Sequence, residues 1–349
     1  MLSQKELTTS QLPGAAVLAA PGQAAAAPQG KRLLFVDNLR ILLICGVVVV
    51  HLAVTYRAIG DWYYYDPAYD PLTAILLSFP NFIGMATAMG VFFLIAGYFT
   101  PGSSDRKWAG PFLRDRLVRL GIPLLIYDSL IQPFVMYIAA GFPGSYGKFY
   151  TTYLLTLPAI GHGPAWFIEA LLFFVMLYAL WRWLNSKWSQ AHPRMTTPTG
   201  SINPARTHPY PTTGAMLLYI VGLALITFVI RIWFPFGRWF PPLDQNVGEF
   251  PQYISMFILG LIAYRRGWLT HIPDAMGKRW LWMALIDLVL FVPLVIWGGG
   301  PPSIGYFFGG LHWQALVYAL WEASLVVAVS IGLLVLFRRY WNRRRYEIK

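Results

Sequence analysis

The sequence contains one cysteine and few charged residues. Cys45 stands alone, which excludes an intrachain disulfide and any metal site built from several cysteines. Charged residues make up only 12% of the 349 residues, about half the fraction found in an ordinary soluble domain. Because 57% of the residues are hydrophobic, we do not expect a soluble globular protein.

Three catalytic motifs are also absent. The sequence has no Gly-x4-Gly-Lys phosphate loop, no His-Glu-x-x-His zinc motif and no Gly-x-Ser-x-Gly nucleophile elbow. ATP-driven transport and zinc hydrolysis therefore lose support, and we expect no bound metal. The net charge of +12 does not indicate nucleic-acid binding, because the lysines and arginines lie mostly between apolar segments.

Long apolar segments are the main positive signal. Each is about 20 residues long, which is enough for a helix to cross the ~30 Å hydrocarbon core of a bilayer. The pattern predicts an all-α fold, a polytopic transmembrane helix bundle with about eight spans and no sheet. The predicted spans are residues 34–56, 76–99, 119–140, 164–184, 214–236, 250–266, 280–298 and 313–337.

The remaining segments are a tail, a linker and one short apolar stretch. Residues 1–30 are rich in Ala, Pro, Gln and Ser and predict a disordered tail, which leaves 31–349 as the membrane domain. Residues 185–213, with several Pro, Ser and Thr residues, predict a cytoplasmic linker between two helical halves. The segment from Tyr150 to Ile160 predicts an interfacial helix or lid.

Charge asymmetry predicts the orientation of these spans. If both termini are cytoplasmic, nearly all lysines and arginines fall on the cytoplasmic side, as the positive-inside rule requires. The opposite side then holds a few basic residues, several acids and an aromatic belt. The basic residues there are Arg57, Lys148, Arg231 and Arg238, the acids include Asp244 and Glu249, and the belt is Trp62, Tyr63, Tyr64 and Tyr65.

The first span contains three ionisable residues on one helical stripe. At ~100° per residue, His51 lies only ~20° from Arg40 and ~40° from Asp37, although ~16 Å separates Arg40 from His51 along the axis. Asp37 and Arg40 could be an interfacial pair and His51 a hydrogen-bonded packing residue. Alternatively, a neutral imidazole beside a water-filled cavity could act as a general base.

A basic cluster precedes the third span. Arg114, Arg116 and Arg119 fall within six residues, and Arg116 and Arg119 are neighbours on a helical surface. Two guanidinium groups at this spacing could bind one phosphorylated ligand. Positive-inside topology or binding of anionic lipid would explain the cluster equally well.

Four acids lie within predicted spans, where an ionised group is costly. Each needs a buried partner and could be a proton carrier, an arginine anchor or one member of a structural hydrogen bond. They are Asp128, Glu169, Asp287 and Glu322.

Several motifs resemble those of the membrane-bound acyltransferase-3 family, and the sequence is most similar to its glucan-biosynthesis protein C type. The resemblance runs from about Arg32 to the C-terminus and is most specific over the first four spans. The motifs are Asp37-Asn38-Leu39-Arg40 followed by His51, then Val91-Phe92-Phe93-Leu94-Ile95-Ala96-Gly97-Tyr98-Phe99, Arg116-Leu117-Val118-Arg119-Leu120-Gly121-Ile122-Pro123 and Gly163-Pro164-Ala165-Trp166-Phe167-Ile168.

The resemblance implies a bacterial inner-membrane O-acyltransferase. Such an enzyme moves an acyl group, of the acetyl or succinyl class, from cytoplasmic acyl-CoA to a hydroxyl of an extracytoplasmic glycan, with no tightly bound cofactor. At the matching positions His51 would be the catalytic base, Arg40 with Asp37 its partners in the first-helix motif, and Arg116 and Arg119, with Arg114 beside them, the acyl-CoA site. Family members usually have about two further spans, so this chain would carry eight of ten.

Two other functions remain open at this point. In the first, a secondary transporter or exporter uses a proton relay of Asp37, Arg40, His51, Glu169 and Glu322. In the second, a membrane scaffold binds anionic lipid through its arginines. Only the acyltransferase requires binding of acyl-CoA. The acceptor, the acyl group and the oxyanion donor are not defined by these patterns.

Overall fold

The computed structural model is helical throughout the part of the chain that it describes. Those residues contain no named strand, only an isolated bridge between Phe240 and Gln245. The predicted tail 1–30 and most of the predicted linker lie outside the described residues. The described ranges are 33–60, 62–68, 70–107, 109–155, 163–191, 210–240 and 245–342.

Eight helices are long and apolar enough to cross a membrane, which confirms the predicted number of spans and the all-α fold. Two short helices lie between them within the described residues. In chain order the ten are α1 (Leu34–Thr55), α2 (Pro71–Asp105), α3 (Ala109–Ala139), α4 (Tyr146–Leu155), α5 (Trp166–Ala191), α6 (Thr213–Trp233), α7 (Phe250–Arg266), α8 (Trp268–His271), α9 (Asp274–Trp297) and α10 (Trp313–Tyr340).

Local sequence explains several helix boundaries. The Asp70 carboxylate accepts a hydrogen bond from the backbone N–H of Thr73, and Pro71 occupies the first turn of α2. The Thr212 hydroxyl caps α6 in the same way. Helix α7 ends at Gly267, whose φ of 66° lies in the left-handed region that favours glycine.

Several observed helices extend beyond the predicted spans, among them α3, which begins at Ala109 rather than at residue 119. Helix α2 extends well beyond the predicted span 76–99 and contains Pro80 and Pro101 in its interior. Helix α5 continues to Ala191, so the first residues of the predicted linker 185–213 are helical. The hydropathy pattern misses these extensions because polar residues at helix ends lower the mean hydropathy of the segment without breaking the helix.

Helices α2 and α10 lie at the centre of the bundle and are buried along most of their length. Glycine permits the closest contacts between helices. Gly97 of α2 and Gly260 of α7 each face the backbone of the other helix, where a Cβ atom would collide with a carbonyl oxygen. Gly277 and Gly332 bring α9 and α10 together in the same way, packing on valine and leucine side chains.

Helix α3 is irregular in two places. The segments Leu117–Gly121 and Tyr127–Ile131 are π-helical, with backbone N–H groups that bond five residues back. Such segments are rare and occur frequently at functional sites. The first lies beside the predicted arginine cluster, and the second contains the buried Asp128.

The two ends of the bundle differ in composition. At the basic end, Arg338 pairs with Asp274 at 2.8 Å and the Asn38 amide donates to the Trp341 carbonyl at 2.7 Å, which joins α1, α9 and α10. We define the basic end by Arg106, Lys107, Arg114, Arg116, Arg119, Arg182, Arg265 and Arg338, and the aromatic end by Trp62, Tyr63, Trp239, Trp297 and Trp313.

Candidate active site

His51 lies in the last turns of α1, at the aromatic end. Its half-buried imidazole stacks on the indole of Trp62, with ring centroids 4.1 Å apart and planes 23° apart. The Thr55 hydroxyl donates to the His51 carbonyl oxygen at 3.2 Å. Among the described residues, no hydrogen bond occupies either ring nitrogen, so the imidazole is able to accept a proton from a hydroxyl.

Asp37 and Arg40 lie at the opposite end of the same helix. The Arg40 Nη1 atom is 3.5 Å from the Asp37 carboxylate, and the guanidinium lies over the Phe99 ring at 4.7 Å. The first-helix motif therefore contacts the Gly97-Tyr98-Phe99 stretch of α2 directly. The structure does not bring Arg40 to His51, since eleven helical residues separate them by ~16 Å.

The three arginines predicted to bind a phosphorylated ligand cluster at the start of α3. Arg114 is exposed, and the partly buried Arg116 lies over the Phe112 ring at 5.4 Å. Arg119 is 72% exposed and approaches the Asp115 carboxylate at 3.6 Å. Lys107 pairs with the same carboxylate at 2.7 Å, and Arg116 also acts on it, so one acid faces three basic side chains and the cluster keeps a positive surplus.

A second ionic cluster at the basic end was not predicted. Arg265 binds both oxygens of Asp105, at 2.6 and 2.9 Å, and Arg182 donates to the same carboxylate at 2.8 Å. Asp105 thereby ties together α2, α5 and α7. Each partner looks like an ordinary topology-setting charge in the sequence, so no local signal identifies the cluster.

The acids within spans have specific partners. Glu169 accepts a hydrogen bond from the Gln245 amide at 2.6 Å. Asp287 accepts one from the Ser324 hydroxyl at 2.8 Å. These contacts agree with the structural hydrogen bond considered for each acid.

Glu322 belongs to a triad that the sequence analysis missed. Arg231 is completely buried, lies 2.7 Å from the Glu322 carboxylate and also pairs with Glu249. Its Nε atom donates to the Gly248 carbonyl at 3.2 Å. Arg231 and Glu249 were expected at the outer helix ends, and they do lie there, in the last turn of α6 and directly before α7, but both are buried. The sequence did contain one signal for this triad, which was an arginine near the end of an apolar helix.

Polar side chains form a further cluster at the aromatic end. The hydroxyls of Tyr63 and Tyr127 donate to the same side-chain oxygen of Gln132, at 2.7 and 2.9 Å. Asp128 is buried beside them. Burial raises the pKa of the nearby Tyr153 hydroxyl, and the Asp128 charge raises it further, so this phenol stays a neutral donor. Tyr63 was predicted only as a belt residue, and Gln132 was not singled out.

The proposed proton relay of the transporter hypothesis is not assembled into one chain. Its members are Asp37, Arg40, His51, Glu169 and Glu322. Glu322 is held by Arg231 and Asp37 by Arg40, and no hydrogen bond or ion pair joins the His51 side chain to any of them within the described residues. Nor does a direct contact there join His51 to Arg116 or Arg119.

The described residues also contain no group of three or more His, Cys, Asp or Glu side chains that could hold a metal ion.

Comparison with known proteins supplies the remaining observation. The sequence profile of a family described as an acyltransferase domain matches residues 33–346, almost the whole chain. The chain belongs to the acyltransferase-3 family. No curated protein and no solved structure matches it.

Membership in the acyltransferase-3 family, together with eight apolar helices, identifies an integral-membrane acyltransferase. The matched interval begins just before α1 and includes every described helix. The candidate site of this acyltransferase-3 chain therefore consists of two separated parts, an imidazole at the aromatic end and a guanidinium cluster at the basic end.

Proposed function

We propose that this protein transfers an acyl group, of the acetyl or succinyl class, from cytoplasmic acyl-CoA to a hydroxyl of an extracytoplasmic carbohydrate. The observation that carries the proposal is the separation of the two parts of the site along the bundle. A group able to take a hydroxyl proton lies near one end, and cations suited to phosphates lie near the other.

The basic end would bind the donor. CoA carries several phosphates, and guanidinium groups match phosphate oxygens with two parallel hydrogen bonds. Arg114 and Arg119 are exposed there, and Arg119 approaches the Asp115 carboxylate. The long pantetheine arm of CoA would then extend along the bundle and carry the thioester toward His51.

His51 would act as the general base. One imidazole nitrogen takes the proton of the acceptor hydroxyl while the hydroxyl oxygen attacks the thioester carbonyl carbon. The new ester C–O bond forms, the C–S bond breaks, and the imidazolium returns the proton to the departing thiolate. Atoms and charge balance over this sequence, and no metal or redox group is required.

The basic end would face the cytoplasm, because cytoplasmic loops carry an excess of lysine and arginine. In a bacterial cell the protein would lie in the inner membrane, with both termini inside. His51 and the aromatic end would then lie toward the extracytoplasmic side, where the acceptor glycan is found.

Transfer from radiolabelled acetyl-CoA or succinyl-CoA to glucose oligosaccharides tests the proposal in membrane vesicles. We expect His51→Ala to abolish transfer. His312→Ala is the matched control, because His312 also packs against an aromatic ring at the aromatic end, with its centroid 4.6 Å from that of Tyr306 and the two planes tilted by 47°. Undiminished transfer by His51→Ala would remove this residue from the mechanism, and flux without any acyl-CoA requirement would favour the transporter.

A further inference from the structure

A pair of tyrosines and one glutamine form an unusual buried contact at the aromatic end. The Tyr63 and Tyr127 hydroxyls share the Gln132 oxygen as acceptor, and the two phenolic oxygens are 3.5 Å apart. The Gln132 side chain is almost completely buried. Tyr127 and Gln132 belong to a membrane-spanning helix, where polar groups are costly, so their contact with Tyr63 points to a functional demand.

The π-helical segment Tyr127–Ile131 explains how α3 forms this contact. In a regular α-helix, residues five apart point ~140° away from each other. Here the backbone N–H of Gln132 bonds to the carbonyl of Tyr127, five residues back, which brings the two side chains onto one face. The same π-helical segment also contains the buried Asp128. The irregular backbone therefore creates the cluster.

The loop between α1 and α2 connects this cluster to His51. Trp62 stacks on the imidazole, and the adjacent Tyr63 packs against Trp62 with ring centroids 4.8 Å apart. Trp62 thus contacts the candidate base His51, and the next residue, Tyr63, contacts the Gln132 amide of α3. No other polar cluster that the structure describes is linked to His51 in this way.

We propose that Trp62, Tyr63, Tyr127, Asp128 and Gln132 form the acceptor subsite, which binds a hydroxyl-rich ring such as a sugar and presents one hydroxyl to His51. The inference rests on the proposed function. Phenols, a carboxylate and a primary amide supply both donors and acceptors, as adjacent sugar hydroxyls require. The indole supplies apolar surface for the C–H face of the ring, and such a combination is typical of small-molecule sites.

Tyr127→Phe tests the subsite, because it removes one hydroxyl and keeps the ring. Tyr137→Phe is the matched control on the same helix, since the Tyr137 hydroxyl donates only to the Gly144 carbonyl, at 2.7 Å. We expect Tyr127→Phe to raise the KM for a glucose oligosaccharide by about fivefold to tenfold, with the KM for acyl-CoA unchanged. The control should change neither value.

A second acceptor separates recognition from folding. Cyclohexylmethanol offers one hydroxyl and a ring without further polar groups, so its KM should be the same for Tyr127→Phe and the unmodified protein. If wild-type protein acylates the oligosaccharide but Tyr127→Phe leaves its KM unchanged, or raises both acceptor KM values equally, the subsite is wrong and the proposed function stands. If wild-type protein acylates neither acceptor, both proposals are overturned.

Discussion

The imidazole of His51 and the indole of Trp62 stack with their ring centroids 4.1 Å apart. Neighbouring positions of α1 such as Val48 and Leu52 point away from the protein, so the stack keeps one face of the half-buried ring out of the lipid. It also restricts ring orientation, and a general base needs a defined orientation toward its proton. In the proposed mechanism Trp62 would therefore position His51.

Loss of the Trp62 ring should lower kcat. We expect Trp62→Ala to reduce transfer at saturating substrate by about tenfold, because misorientation of a catalytic group costs rate steeply, while Trp62→Phe should recover most of the loss. Tyr64→Ala is the control, since Tyr64 is an exposed aromatic of the same loop. Equal losses in Trp62→Ala and Tyr64→Ala would contradict a specific role for the stack.

The rate should depend on pH through His51. A protonated imidazole has no free lone pair for a hydroxyl proton, so kcat/KM should fall as the pH drops and His51 becomes protonated. Detergent-solubilised protein exposes both ends to one pH and permits the measurement. His51→Gln should retain only a low rate without that limb. The same acidic limb in the variant would assign it to another group.

The arginine cluster should determine donor affinity. We expect Arg116→Gln and Arg119→Gln each to raise the KM for acyl-CoA by about tenfold, because each loses a charged hydrogen bond to phosphate. Arg266→Gln is the control, since Arg266 is also basic and exposed but belongs to α7 and lies over Trp268. Acyl-pantetheine, which lacks phosphates, should show no effect. An unchanged KM for acyl-CoA with weaker anionic-lipid binding would favour the scaffold hypothesis.

The fold was predictable because hydropathy reports burial in lipid directly. The eight spans follow from it, and the motif around His51 indicated the family before any geometry was known. The partners of the buried acids could not be predicted in this way, although the sequence analysis correctly recognised that Glu322 needs one. Arg231 and Glu249 lie far from it along the chain, and pairing of distant residues leaves no local pattern.

The cluster around Gln132 was missed for a different reason. Its geometry depends on a π-helical turn, whereas the usual reading of sequence periodicity assumes 3.6 residues per turn. On that assumption Tyr127 and Gln132 fall on different faces. The separation of His51 from Arg116 and Arg119, by contrast, was implied by their positions at opposite ends of their helices.

Arg231 should be essential for stability rather than chemistry. Its removal leaves Glu249 and Glu322 buried without a counter-charge, and breaking a buried ion pair in this way costs about 3–5 kcal/mol. We therefore expect Arg231→Leu to lower the thermal unfolding temperature strongly in detergent. Arg238→Leu is the control, because Arg238 is exposed just beyond α6.

Glu322→Gln tests whether stability depends on the negative charge of Glu322 or on the shape of its side chain. The triad has one guanidinium for two carboxylates, so the amide leaves Arg231 paired with Glu249 in a neutral arrangement. We expect a much smaller loss of thermal stability than in Arg231→Leu, and acetyl-CoA binding close to that of the unmodified protein. If Glu322→Gln unfolds as readily as Arg231→Leu, the charge of Glu322 is as important for stability as that of Arg231.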